Sequence, residues 1–162
     1  MDAAFPLPPA PHVPGRTTRP DDAYFTAVKA VTPALTTSAG AATNPAWAHG
    51  LACLARGYFW ECHEVLEPVW WNAPQGSAER AMVRAVIQLA NAALKQAMGR
   101  PGAVARLCAL VDACARAAHV PGTPRVMGLC GEEVRAAADA LERRASQGED
   151  VQGIALSPIY AI

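Results

Sequence analysis

The stretch from Ala81 to Met98 constrains the fold more than any other part of the chain. It is built largely of Met, Val, Ile, Leu and Ala, and it is interrupted by Arg84, Gln88, Asn91 and Lys95. Those four residues are spaced four, three and four, which on an α-helix confines them to a stripe about 60° wide. A helix apolar on nearly every other side belongs at the centre of a bundle. The same polar interruptions rule the segment out as a membrane span. Whatever surrounds this rod must cover its apolar sides and either wet its polar stripe or meet it with polar groups of its own.

The rest of the chain supplies other helices. Of its 162 residues 52% are hydrophobic, many of them alanine, and only 17% are charged. Alanine-rich segments with few β-branched runs favour helices that approach closely. The length suits one domain with a real core. Asn44-Pro45 reads as an N-cap followed by a proline at the first helical position, and Gly57 as a left-handed stop. A helix from about Tyr58 to Trp71 follows, with Pro68 expected to kink it or end it early. Ser77 caps the central rod, which Gly99 closes. Further helices are expected over about 22–32, 100–119 and 132–146, the last with Glu132-Glu133 at its start and Arg143-Arg144 at its end. No convincing strand pattern emerges. The predicted architecture is all-α, a compact bundle of about five to six helices. Six prolines among the first twenty residues make 1–21 an extended or disordered segment, 22–146 the helical domain, and 147–162 a tail that packs on the domain or trails from it.

Between Gly57 and Trp71 the sequence concentrates its chemistry. Trp60, His63, Glu64, Glu67 and Trp71 fall within one arc roughly 100° wide, opposite an apolar arc of Tyr58, Phe59, Cys62, Val65, Leu66 and Val69. A solvated face seldom carries two indoles between its charges, so the pattern points to a covered polar site. The motif helix and the central rod are joined by a short turn, which predicts antiparallel neighbours. His63, Glu64 and Glu67 are then expected to face Gln88, Asn91 and Lys95.

Three readings fit these residues. His63 and Glu67, four apart, project over the same helical turn and can chelate one divalent metal ion, with Glu64 as general base toward a bound water. His49 and His119 join such a site only if the fold brings them near. Alternatively, the carboxylates are neutralised by Arg84 and Lys95 in a structural inter-helix network that Gln88 and Asn91 complete. In the third reading Trp60, Trp70 and Trp71 wall a pocket for a small polar ligand held by Gln88, Asn91 and Lys95. Cys62 and His63 diverge by about 100° on the helix, so they do not form a dyad. Met127-Gly128-Leu129 reads as a packed turn.

The ordered block Gly57-Tyr58-Phe59-Trp60-Glu61-Cys62-His63-Glu64-Val65-Leu66-Glu67, then Trp70, resembles a bacterial and archaeal family, the domain of unknown function numbered 309. The likeness continues through Val86-Ile87-Gln88-Leu89-Ala90 and Gly99-Arg100-Pro101-Gly102-Ala103, with a weaker match at Met127-Gly128-Leu129. It spans about residues 46–145. The resemblance implies a small all-helical fold and a family without an established activity. Its members often carry the label of predicted metal-dependent hydrolase, a label resting on the residues equivalent to His63, Glu64 and Glu67. Many members have a histidine where this sequence has Lys95, which removes the most natural third ligand.

Net charge is zero, which gives no electrostatic footprint for nucleic acid or an anionic membrane and leaves homo-oligomerisation open. Five cysteines with no Cys-x-x-Cys pair, and no leader pattern ahead of them, point to reduced thiols in a cytoplasmic protein.

Overall fold

A computed structural model describes residues 5–161. Six α-helices follow one another: α1 Ala23–Ala30, α2 Pro45–Ala55, α3 Phe59–Trp71, α4 Ala78–Ala97, α5 Val104–Ala117 and α6 Gly131–Ser146. Single turns of 3-10 helix at Ala41–Thr43 and Pro101–Ala103 lead into α2 and α5. Among the described residues there is no strand, only two isolated bridges in the loop before α6. The all-α bundle expected from the sequence is the fold found.

The helix ends lie where the capping chemistry puts them. The Asn44 side chain accepts the Trp47 N–H at 3.0 Å, and Ser77 accepts that of Arg80 at 3.1 Å. Gly57 turns the chain at φ +81 and brings the Tyr58 N–H onto the Cys53 carbonyl at 2.8 Å, so that α3 starts directly against the end of α2. Pro68 does not end α3, which runs three residues further to Trp71. Lying so near the helix end, the proline forfeits one backbone donor without stopping the last turn.

The central rod is α4. Met82, Val83, Ala85, Val86, Leu89, Ala90, Ala92 and Ala93 are all buried, and the helix packs on α3 before it in sequence, on α5 after it, and on α6. Alanine permits this closeness, because a methyl side chain keeps neighbouring axes near one another. In the same way Gly50 of α2 leaves room for the isobutyl group of Leu66 on α3, which a Cβ at position 50 would strike.

Two irregular segments lie against the bundle. Residues 5–20 form no helix; Phe5, Leu7, Pro8 and His12 lie against or within the interior. At the other end the Ile154 N–H reaches the Leu54 carbonyl at the end of α2 (2.9 Å), and Leu156 is buried. Tyr160 covers the turn at Met127-Gly128. Met127 takes φ +54, unusual for a side-chain-bearing residue, and is pinned there: its N–H donates to Ser38 Oγ at 3.0 Å and its carbonyl accepts Trp47 Nε1 at 3.1 Å. No described helix is long and apolar enough to cross a membrane.

Candidate functional site

The apolar side of α3 is Phe59, Cys62, Val65, Leu66 and Val69, all buried against α2 and α4. That packing fixes the helix rotation and so decides where each polar signature residue points. The three best-placed of them engage three different parts of the molecule.

Glu61 is 0% exposed. Its Oε1 accepts the backbone N–H of His12 at 2.7 Å, while Oε2 has no hydrogen-bond partner. Burial pushes its carboxyl pKa up, and the His12 N–H, which favours the ionised form, opposes only part of that rise. Its buried neighbours Cys53 and Cys62 are pushed the same way, chiefly by burial and further by the carboxylate; Cys53 reaches about 12. Thiols so disfavoured as thiolates are inert packing groups.

His63 turns to α4. Its Nδ1 lies 2.8 Å from Asn91 Oδ1, and Asn91 Nδ2 is 3.4 Å from Gln88 Oε1. The second contact, a long one, assigns the amide orientation, so Oδ1 faces the imidazole and Nδ1 carries the proton. Nε2 has no protein partner and is not sealed from solvent.

Glu64 turns the other way, toward α1, where Lys29 Nζ stands 3.4 Å from Oε2. The side chains are 40% and 25% exposed. Glu67 is exposed. Lys95 is half-buried and forms no ion pair among the described residues. Arg84 is exposed. The two hydrophilic edges therefore meet, but through His63, Asn91 and Gln88; Glu64 and Glu67 do not join Lys95 there.

The tryptophans are occupied individually. Trp60 receives the edge of the His12 ring at 4.8 Å and of Phe25 at 5.8 Å, with the Arg19 guanidinium 5.6 Å from its centroid. Trp70 is covered by the Arg80 guanidinium at 4.2 Å, which also donates to the Ala73 carbonyl. Trp71 is 60% exposed. They do not enclose a common pocket with Gln88 and Asn91. An open cleft of about 760 Å³ lies elsewhere, between the end of α5, the following loop and α6; His119 lines it, and none of the expected site residues does.

The side chains present do not assemble the donor set of a zinc site. Among the described residues no three His, Cys, Asp or Glu side chains come together as ligands. His63 offers one nitrogen, Glu64 is paired with Lys29, and His49 is buried in α2 and joins no such group. A structural or catalytic zinc site needs three or four protein donors.

This is an all-helical bundle whose signature helix spends its polar residues on neighbouring elements. Residues 47–107 match the model of a protein family described as "Domain of unknown function (DUF309)". The match covers most of α2, all of α3 and α4, and the first turn of α5, so the resemblance read from the signature residues is shown over that stretch. No curated protein and no solved structure matches the chain.

Sequence reasoning missed Glu61 and His12. On the helical wheel Glu61 stands about 100° from Trp60, on the border between the polar and apolar arcs, where periodicity assigns it to neither. What buries it is a proline-rich segment without periodicity. The available signal was chemical: an acid beside Tyr58 and Trp60 on a helix that also has to accommodate eight residues with four prolines.

Proposed function

We propose that the chain is a non-catalytic binding or assembly module in which α3 is the hub. The observation that carries this reading is the division of partners. Glu61 holds the N-terminal segment, His63 holds α4 and Glu64 holds α1. Polar residues that each fasten a different element explain the signature without a reacting centre. The arrangement also gives a reason for residue type: a long acid reaches across to a peptide N–H, an imidazole N–H meets an amide oxygen, and a partly exposed carboxylate meets an ammonium.

The competing reading is a metal-assisted hydrolase with His63 and Glu67 as ligands and Glu64 as base. It requires a third donor and a carboxylate released from Lys29. Thermal melts with and without added Zn²⁺, Mn²⁺, Fe²⁺ or Ni²⁺ separate the two. The hub reading expects no rise in Tm beyond that seen with the His63→Ala variant. A metal-dependent rise that disappears on His63→Ala and on Glu67→Gln overturns it.

A further inference from the structure

The face of α2 and α3 beneath residues 5–12 has features of a recognition site with its ligand in place. Four of those eight residues are proline, and the segment takes no helical or strand conformation. Prolines cannot donate to a ladder, so such a segment is held through aromatic contacts and through its carbonyls, the mode by which polyproline ligands are read. The contacts found are of that kind. Tyr58 donates its hydroxyl to the Pro8 carbonyl at 3.0 Å. Phe5 sets its ring edge-on to His49 at 5.4 Å, and the His12 ring lies edge-on to Trp60 at 4.8 Å. The N–H of His12, the first residue after Pro11, donates to Glu61 at 2.7 Å.

We propose that this face is a binding groove for an extended proline-rich peptide, and that residues 5–12 occupy it in cis as an exchangeable strap. Two observations beyond the fit support exchange. From His12 to Thr17 the segment's hydrogen bonds are mainly its own: His12 Nδ1 and the Val13 N–H meet Thr17 Oγ1, and the Arg16 and Thr17 N–H groups meet the Val13 carbonyl. The strap can therefore lift as a unit, breaking its bonds to Tyr58 and Glu61 while keeping its internal turn. The second observation lies at the floor of the groove. Glu61 is fully buried with Oε2 unpartnered, so the cis strap leaves one polar atom of the groove unmatched.

The proposal rests on the binding-module reading and names its ligand class; it is tested at Glu61 and the strap, whereas that reading is tested at His63 and with metals. The probe is a fluorescent peptide with the sequence of residues 5–13, added to the full chain, with a control peptide N-methylated at the position of His12. A tethered competitor acts at an effective concentration on the order of mM, so the wild-type chain should bind the peptide weakly. His12→Pro removes the strap's N–H and leaves the groove residues untouched, and should lower the apparent Kd at least about tenfold. The N-methylated peptide should lose that gain. Should His12→Pro not fold, His12→Gly, which keeps the N–H but drops the ring contact with Trp60, serves in its place. Amide hydrogen exchange on the wild-type chain supplies the second readout: the His12 amide, the strap N–H bonded to the groove, should exchange by local opening, well ahead of α4. A His12 amide that exchanges only with the core overturns the proposal. So does a strap that opens locally while no saturable peptide binding is seen up to mM concentrations.

Discussion

The carboxylate of Glu61 and the peptide N–H of His12 meet at 2.7 Å, although 49 positions separate them in the chain. That bond closes the fold over its most unusual buried group. A fully buried acid is tolerated when its charge is hydrogen-bonded or when it is neutral. Here one oxygen is served and the other is not, so burial dominates and the proton is held more tightly than in water.

Glu61 can be tested with two substitutions that separate its bond from its charge. Glu61→Gln keeps an acceptor for His12 and discards the desolvated charge. Glu61→Ala leaves the N–H unpaired and opens a cavity, and should cost about 2–4 kcal/mol. The pH dependence follows from the direction of the shift. A folded pKa raised above the ordinary 4.5 means stability is fully present below that value and declines as pH rises through the folded pKa. Urea unfolding across pH 4 to 8 should therefore show Glu61→Gln gaining on wild type as pH rises. Parallel curves would contradict the assignment.

His49 shows the opposite sign. It is 3% exposed, its Nδ1 has no partner, and burial lowers its pKa below 6.5. A depressed folded pKa gives stability that is present above 6.5 and is lost as pH falls through the folded value. Replacing the imidazole by a group that does not titrate, His49→Gln, should abolish that acid limb while leaving the neutral-pH stability within about 1–2 kcal/mol. Melts between pH 4 and 7 that fall alike for both proteins would exclude His49 as the source.

Gly50 tests the close approach of α2 to α3. Helix propensity alone favours Gly50→Ala by about 1 kcal/mol. A Cβ there, however, runs into the side chain of fully buried Leu66. Overpacking typically costs about 1–3 kcal/mol, so the net effect should be destabilising. The double variant Gly50→Ala with Leu66→Ala should recover part of the loss if the clash is the cause. A single variant more stable than wild type would show that the helices can separate at no cost.

The helices were legible because their signals are local. Asn44 and Ser77 cap by bonds spanning three residues, Gly57 and Gly99 stop helices through their own positive φ, and the period of α4 repeats within twenty residues. The meeting of α3 with α4 was legible too, since two stripes joined by the short connection 72–77 have few ways to pack. The destination of each acid was not. Glu64 found Lys29, 35 positions away, and Glu61 found His12; neither partner belongs to a periodic pattern on α3 or α4. The burial of Glu61 depends on a segment whose prolines announce only that it is not helical.

Magnitudes then decide which signature contact matters for the α3–α4 pairing. The Lys29–Glu64 pair has side chains 40% and 25% exposed and a separation of 3.4 Å, so screening should leave it at no more than about 0.5–1 kcal/mol. The His63–Asn91 bond is shorter at 2.8 Å, between half-buried groups of two packed helices. A side-chain hydrogen bond of this kind contributes about 1 kcal/mol, and either partner alone is left with an unmet polar group when the other is removed. In a double-mutant cycle of His63→Ala and Asn91→Ala, the coupling should therefore be about 1 kcal/mol, and the Lys29→Ala and Glu64→Ala cycle should give less. For a chain of this length each kcal/mol moves Tm by roughly 2–4 °C, which makes both cycles measurable. A His63–Asn91 coupling near zero would mean that α3 and α4 pair through Leu66, Val86 and their apolar neighbours alone, and that the histidine of the signature has some duty other than holding the two helices in register.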